Sequence, residues 1–217
     1  MTLVTHPQFS NLYQVYHPLI LHKLSQLREC NTSKKEFKEL LQEITQLLVY
    51  EATKELPMTT RHINTPLEAI DAPVLKGKKP VILPVLRAGL GMVDGFLSLI
   101  PSARVGHIGL YRNEKTLQPE LYYLKIPKDS QERTIFICDP MLATGGSISK
   151  AINCLKERGV TKIIFLCIVA APEGAKKLAE EHPDVKVFTA HLDRQLNEKG
   201  YILPGLGDAG DRLFGTR

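Results

Sequence analysis

The chain has no apolar run near the ~20 residues that a membrane-crossing helix needs; its longest, residues 163–171, falls far short. Its first ten residues, MTLVTHPQFS, lack a basic region followed by an apolar stretch, which argues against a secretory signal. Cysteine is scarce. Cys30, Cys138, Cys154 and Cys167 never pair as C-x-x-C, and Cys138 and Cys167 lie inside apolar runs, so they read as structural thiols of a reducing cytoplasm. Repeats, low-complexity tracts and linkers are also missing, and no G-x-x-x-x-G-K-[ST] nucleotide loop occurs. A single cytoplasmic domain remains, built on its own core.

Of the 217 residues, 43% are apolar and 24% charged, as in an ordinary globular protein. The net charge of +5 and pI near 9.0 suit an anionic partner. Lysine and arginine are nevertheless dispersed, so phosphorylated small molecules, nucleic acid and plain solubility are all compatible with charge alone. No basic patch interleaved with aromatics supports nucleic acid.

Phe37, Leu40, Leu41, Ile44, Leu47 and Leu48 follow helical spacing, which predicts an amphipathic helix over residues 34–55. Thr32 or Ser33 can cap it, and Glu36 suits a capping box with Ser33. From Lys79 the texture changes. Five short apolar runs, PVILPVL, ARVGHIGLY, TIFICD, KIIFLCIV and VKVFTAHL, read as strands, with helices expected over residues 89–99, 147–158 and 173–181. Near-continuous apolar strands alternating with helices imply a parallel sheet covered on both faces, whose ligands bind at the carboxyl ends of the strands. Between Tyr111 and Pro127 a polar stretch, RNEKTLQPE, is flanked by GLY and LYYLKI, and it reads as a β-hairpin arm leaving the sheet.

Three strand ends carry chemistry. In VILPVLRAGLGMVDG a buried strand ends at Arg87, and Gly89, Gly91 and Gly95 open a helix. Close helix–strand packing would explain the glycines but not the arginine. A dinucleotide loop is the rival reading, weakened because no acid follows about twenty residues on, where Tyr111 and Arg112 stand. In TIFICDPMLATGGSISKAI a strand ends at Asp139, and Thr144, Gly145, Gly146 and Ser147 lead into a helix. Converging N–H groups, two hydroxyls and a helix N-terminus suit a phosphate monoester. Asp139 would repel that phosphate, so it fits sugar hydroxyls better; ordinary turn punctuation with Ser147 as a cap is the plainer alternative. The third is GYILPGLGDAGDRLFGT, whose GLGDAG has dinucleotide spacing, yet only residues 211–217 follow, too few for a crossover helix and second strand. A tight terminal turn is the simple reading; four glycines within residues 205–215, together with two acids, suggest a docked segment.

Together DPMLATGGS, LRAGLGMVDG, YRNE and GYILPGLGDAGDRLFGT resemble the uracil phosphoribosyltransferases, from about His17 to the C-terminus, through LLVYEAT, PSARVGHIGLYRNEKTLQP and VAAPEG. The resemblance implies a type I phosphoribosyltransferase-like α/β fold: a parallel sheet flanked by helices, with a β-hairpin arm and a C-terminal hood. It implies one domain over residues 1–217, with an N-terminal helical segment (about 10–56), a core (about 79–195) and a uracil-binding hood (about 196–217). The implied reaction is uracil plus 5-phospho-α-D-ribose 1-diphosphate (PRPP) giving UMP and diphosphate, with Mg²⁺, in pyrimidine salvage.

On that resemblance Asp139, Pro140, Met141, Leu142, Ala143, Thr144, Gly145, Gly146 and Ser147 bind the ribose and its 5-phosphate. Arg87 and Arg112 hold the diphosphate, where planar guanidinium groups grip paired oxygens, and with Asp139 they form the expected catalytic set. Ile202, Gly207, Asp208 and Ala209 receive uracil, with Asp208 also facing PRPP. Mg²⁺ is expected on substrate oxygens and water, with no direct protein ligand. Many type I members carry two adjacent acids where this chain has Asp139–Pro140, a pair the uracil branch shares. A homodimer or higher homo-oligomer is the expected assembly, GTP a candidate effector, and neither nucleic acid nor membrane a partner. An RNA-binding pyrimidine regulator and a catalytically silent nucleotide-binding relative are the alternatives on the same fold. No residue stands out as a general base.

Overall fold

The computed structural model describes residues 5–112 and 119–216, the Arg112 side chain excepted. Its centre is a sheet of order β1-β11-β10-β8-β4-β6-β7, parallel except for the β6–β7 pair at one edge. In chain order these strands are β1 (Leu12–Gln14), β4 (Val81–Leu86), β6 (His107–Arg112), β7 (Pro119–Lys125), β8 (Ile135–Cys138), β10 (Ile163–Ala170) and β11 (Lys186–Leu192). Two short strands extend it, β5 (Arg104–Val105) beside β4 and β9 (Met141–Leu142) beside β10. Two separate antiparallel pairs complete the strands: β2 (Met58–Asn64) with β3 (Ala69–Leu75), and β12 (Gln195–Leu196) with β13 (Ile202–Leu203).

The central strands read as continuous apolar runs because both their faces are buried. Successive side chains point to opposite sides. Ile82, Phe136, Leu166 and Phe188 join one core with α1 (Pro18–Arg28), α2 (Lys34–Ala52), α3 (Val93–Leu99) and α6 (Ala209–Phe214). Leu83, Ile137, Phe165 and Val187 join the other with α4 (Gly146–Lys156) and α5 (Pro172–Glu181). The covering helices therefore lie on opposite faces on either side of the β4/β8 boundary: α3 follows β4 on one face, and α4 follows β8 on the other. That boundary is where the strand order reverses, the place such sheets leave a crevice.

The expected strands and the helices of the core are present, with ends shifted by a few residues, except that the run over 103–111 is broken at Gly106 into β5 and β6. The helix expected over 34–55 stops at Ala52; Ser33 caps it in a full capping box with Glu36. The helix expected over 89–99 begins as a 3-10 turn, Ala88–Met92, before α3. The arm also forms. Its root pairs with β4 as far as Gly109, and beyond a bulge Leu110–Arg112 pair only with β7; its tip, residues 113–118, lies outside the described residues.

The segment expected to be helical over about 10–56 holds α1 and α2 but opens with β1, an edge strand of the central sheet; β1, β9, the β2–β3 and β12–β13 pairs and α6 were not anticipated. α1 begins with His17 as cap and Pro18 in its first turn, and Ile20, Leu24 and Leu27 form its buried stripe. The β2–β3 hairpin is largely exposed and shows no apolar alternation. α6 starts at Asp208, whose carboxylate accepts from the Asp211 N–H, and ends at Gly215 with φ +67°. Among the described residues no helix is long and apolar enough to cross a membrane.

Candidate functional site

Arg87 and Asp139 stand at the carboxyl ends of the neighbouring strands β4 and β8, flanking the crevice. The glycines after Arg87 are explained by packing. A Cβ on Gly89 would lie 2.3 Å from the Cys138 carbonyl oxygen, on Gly91 2.6 Å from Leu41, and on Gly95 2.4 Å from the Gln42 carbonyl. All three press helix against strand or helix, leaving no open cradle for a dinucleotide. Arg87 itself is 59% exposed and reaches across the crevice, its guanidinium 3.9 Å from Asp211 Oδ1 and 5.7 Å from the Phe214 ring centre.

Asp139 accepts a hydrogen bond from the Met141 N–H at 3.0 Å. Burial pushes its carboxyl up to about 7, the Met141 bond opposes the rise, and the Asp208 charge adds to it. A carboxyl titrating near neutrality in a crevice marks a candidate functional group. The chain beyond it behaves in two ways. Pro140 and Leu142 turn inward: Pro140 is buried, its carbonyl accepting from the Ile168 and Val169 N–H groups, and Leu142 is fully enclosed in the second core. Thr144 and Ser147 are exposed at the mouth.

Gly145, with φ +78°, occupies the cap position of α4 without a side-chain cap of its own, and among the first-turn N–H groups that of Gly146 has a long contact with the Thr144 hydroxyl, 3.5 Å. The loop is braced from behind: a Cβ on Gly174, in the first turn of α5, would lie 2.4 Å from the Ala143 carbonyl. Exposed hydroxyls and helix-terminal N–H groups on a rigid support are the chemistry that suits an anion.

Opposite the loop, the C-terminal segment closes a cavity of about 220 Å³. Its wall includes Ile202, Gly207, Asp208 and Ala209, the four residues expected there, together with Met141 and Ala143 from the loop and Ala88 next to Arg87. Gly200, Tyr201 and Gly210 also line it and were not among the residues expected to receive uracil, although Tyr201 adjoins Ile202 and Gly210 adjoins Ala209. Arg112 closes β6 opposite Pro119; the position of its side chain lies outside the described residues. Among the described residues no group of three or more His, Cys, Asp or Glu side chains is placed to hold a metal ion. Asp139 and Asp208 are the carboxylates at the crevice, close enough that the Asp208 charge acts on Asp139.

Known proteins resemble this chain over most of its length. The family model for uracil phosphoribosyltransferase matches residues 14–216. A curated uracil phosphoribosyltransferase from Clostridium botulinum (strain Eklund 17B / Type B) is 56% identical over 208 residues, 96% of this chain and 100% of the relative. The solved structure of the AQ2163 protein from Aquifex aeolicus superposes with a TM-score of 0.89 at 38% identity, covering 94% of this chain and 98% of that one. An adenine phosphoribosyl transferase from Trypanosoma brucei, at 13% identity and TM-score 0.62, covers 96% of this chain and 92% of its own and shares the fold.

Proposed function

The chain belongs to the uracil phosphoribosyltransferase family, and from that premise we propose how one cleft divides the work among its residues. The protein transfers the 5-phosphoribosyl group of PRPP to uracil, giving UMP and diphosphate in pyrimidine salvage. The observation that carries the division of labour is the shared cavity. Met141 and Ala143 from the loop that leads into the nest, hood residues Ile202 and Gly207 to Gly210, and Ala88 beside Arg87 line one space. A molecule with its base in that space and its phosphate on the adjoining nest would span the cleft.

Displacement at the ribose C1 carbon builds positive charge on the sugar and negative charge on the departing diphosphate. Catalysis is therefore positioning and electrostatics, without a covalent nucleophile. Thr144, Gly145, Gly146 and Ser147 hold the 5-phosphate, while Pro140 and Leu142 shape the loop from inside the core. Asp139 accepts hydrogen bonds from the ribose hydroxyls; those donors favour its ionised form and lower its raised pKa as substrate binds. Arg87 exchanges its loose contact with Asp211 for the diphosphate, and Arg112, assigned by sequence pattern, joins it from the arm.

A divalent cation, Mg²⁺ in this proposal, would neutralise diphosphate charge when bound, with Asp139 and Asp208 contacting its waters. Backbone groups at Gly207 and Ala209 receive the uracil edge: a C=O accepts N3–H and an N–H donates to a carbonyl oxygen. Cytosine inverts that edge at two positions and leaves buried groups unpaired.

The test mixes purified protein, Mg²⁺ and PRPP with uracil, cytosine, orotate or hypoxanthine in separate reactions. UMP from uracil alone is expected; nucleotide formed mainly from another base overturns the assignment. We further propose a homodimer, supported by the β2–β3 hairpin, which stands exposed on both faces in one chain where an isolated hairpin is marginal. A monomer in sedimentation would refute it.

A further inference from the structure

Asp193 stands one residue past β11, its side chain fully enclosed, and it does not touch the cavity. Three donors meet on its carboxylate. Arg28, the last residue of α1, reaches both oxygens at 2.5 and 2.8 Å; the Gly205 N–H donates at 2.9 Å; and His191 Nδ1 lies 2.8 Å away. The same Arg28 also donates to the Gly205 carbonyl at 2.6 Å. Both backbone polar groups of one glycine are thus tied to a single ion pair whose members lie 165 residues apart in sequence. Burial alone would raise the Asp193 carboxyl; the hydrogen bonds of His191 and Arg28 outweigh it and hold it at about 2, so the pair is charged throughout the neutral range.

Gly205 is the pivot of the base wall. Its φ is +62°, and a Cβ there would lie 2.1 Å from the Ile202 carbonyl oxygen, so the chain folds directly back on a wall residue. Two residues later come Gly207 and Asp208. The carbonyl of the intervening Leu206 is taken by Arg212 at 2.8 Å, which also binds the Leu27 and Glu29 carbonyls at the end of α1. Two consecutive residues are pinned from outside the cavity by guanidinium groups. A buried ion pair is weak as a mere stabiliser, since packed apolar side chains serve as well. Its fixed geometry suits the placing of a backbone.

We propose that Arg28 and Asp193 are positioning residues for base recognition: they fix Gly205, and through it the Gly207 and Ala209 backbone against Ile202, at the spacing a planar pyrimidine needs. This rests on the assignment of the cavity to uracil.

Steady-state kinetics of Asp193→Asn and Arg28→Lys, with uracil and PRPP varied in turn, test it. Arg28→Lys keeps the buried charge, and with it the fold, but one ammonium cannot span both Asp193 oxygens and the Gly205 carbonyl. For Asp193→Asn the KM for uracil should rise about tenfold or more, because small misplacements of a recognition group are costly. Arg28→Lys should move the same way by less. The KM for PRPP should stay unchanged, and the preference for uracil over cytosine should narrow.

Leu155→Ala, a cavity in the second core, supplies the control: it should lower thermal stability and leave both KM values alone. If the two ion-pair variants lose stability like Leu155→Ala but keep their uracil KM, or if both KM values rise together, the proposal is overturned. A native protein that makes no UMP from uracil would refute the underlying assignment instead, so the two failures are distinct.

Discussion

Replacing Asp139 by asparagine should separate activity from stability in opposite directions. The carboxyl is raised from 3.8 to about 7 in the folded protein. Between those two values the folded chain holds a proton that the unfolded chain has lost, so native stability falls as pH rises through that window and levels off above it. At about 1.36 kcal/mol per unit the full cost is about 4 kcal/mol above pH 7, a ceiling because the residue keeps some exposure; about 1–2 kcal/mol should survive screening.

Asparagine has no charge to desolvate and still accepts from the Met141 N–H. Asp139→Asn should therefore match the native protein near pH 3.5, outlast it increasingly from about pH 4 to 7 in urea unfolding, and hold a constant lead above. Its kcat/KM for PRPP should meanwhile drop by about 10- to 100-fold, the worth of a charged hydrogen bond to a ribose hydroxyl. Unchanged kinetics would refute the ribose role. A stability difference that ignores pH, or a variant less stable at pH 8, would refute the burial argument.

The same carboxyl should report on substrate binding. PRPP favours ionised Asp139, so its binding at pH 6.5 should release protons, and affinity should rise with pH through about 7 before levelling; calorimetry in buffers of different ionisation enthalpy measures this, and proton uptake would contradict it. Gly89→Ala places a methyl 2.3 Å from the Cys138 carbonyl oxygen and should destabilise the chain by about 1–3 kcal/mol, the usual cost of overpacking. Thermal unfolding at native stability would show that the helix–strand contact is looser than described. Burial and the Lys156 charge lower the His182 pKa below 6.5. The unfolded chain then takes up a proton first as pH falls below that value, so stability should decline there. His182→Gln should flatten that part of the profile; an unaltered profile would place the titration elsewhere.

The core was legible because its physics is local. Fully buried strands such as Ile135–Cys138 read as unbroken apolar runs, and Ser33 with Glu36 announced α2. The strand–Asp139–glycine–helix turn proposed as the phosphate site was legible for the same reason, since its parts are consecutive. Less could be read where side chains gave no pattern. The β2–β3 hairpin buries little on either face, so no apolar alternation betrays it.

The roles of Pro140 and Leu142 could not be separated from those of Thr144 and Ser147 by sequence, because only β9 pairing with β10 shows which of them turn inward. The Arg28–Asp193 pair joins the end of a helix to the end of a strand across most of the chain. Each residue alone looks like any surface charge. Gly205, Gly207 and Gly210 have dinucleotide spacing, yet each answers to its own surroundings: Gly205 to the Ile202 carbonyl, Gly207 to a φ of +79°, and Gly210 to Asp208 and Arg87 nearby.

The most direct test of the shared cleft is a crystal structure of the protein with UMP. The 5′-phosphate should lie on the N–H groups and hydroxyls of Thr144, Gly145, Gly146 and Ser147, the ribose hydroxyls on Asp139, and the uracil edge on the Gly207 and Ala209 backbone beside Ile202. A nucleotide bound with its phosphate on the C-terminal segment, or with its base outside the cavity walled by Ile202 and Ala209, would contradict the account.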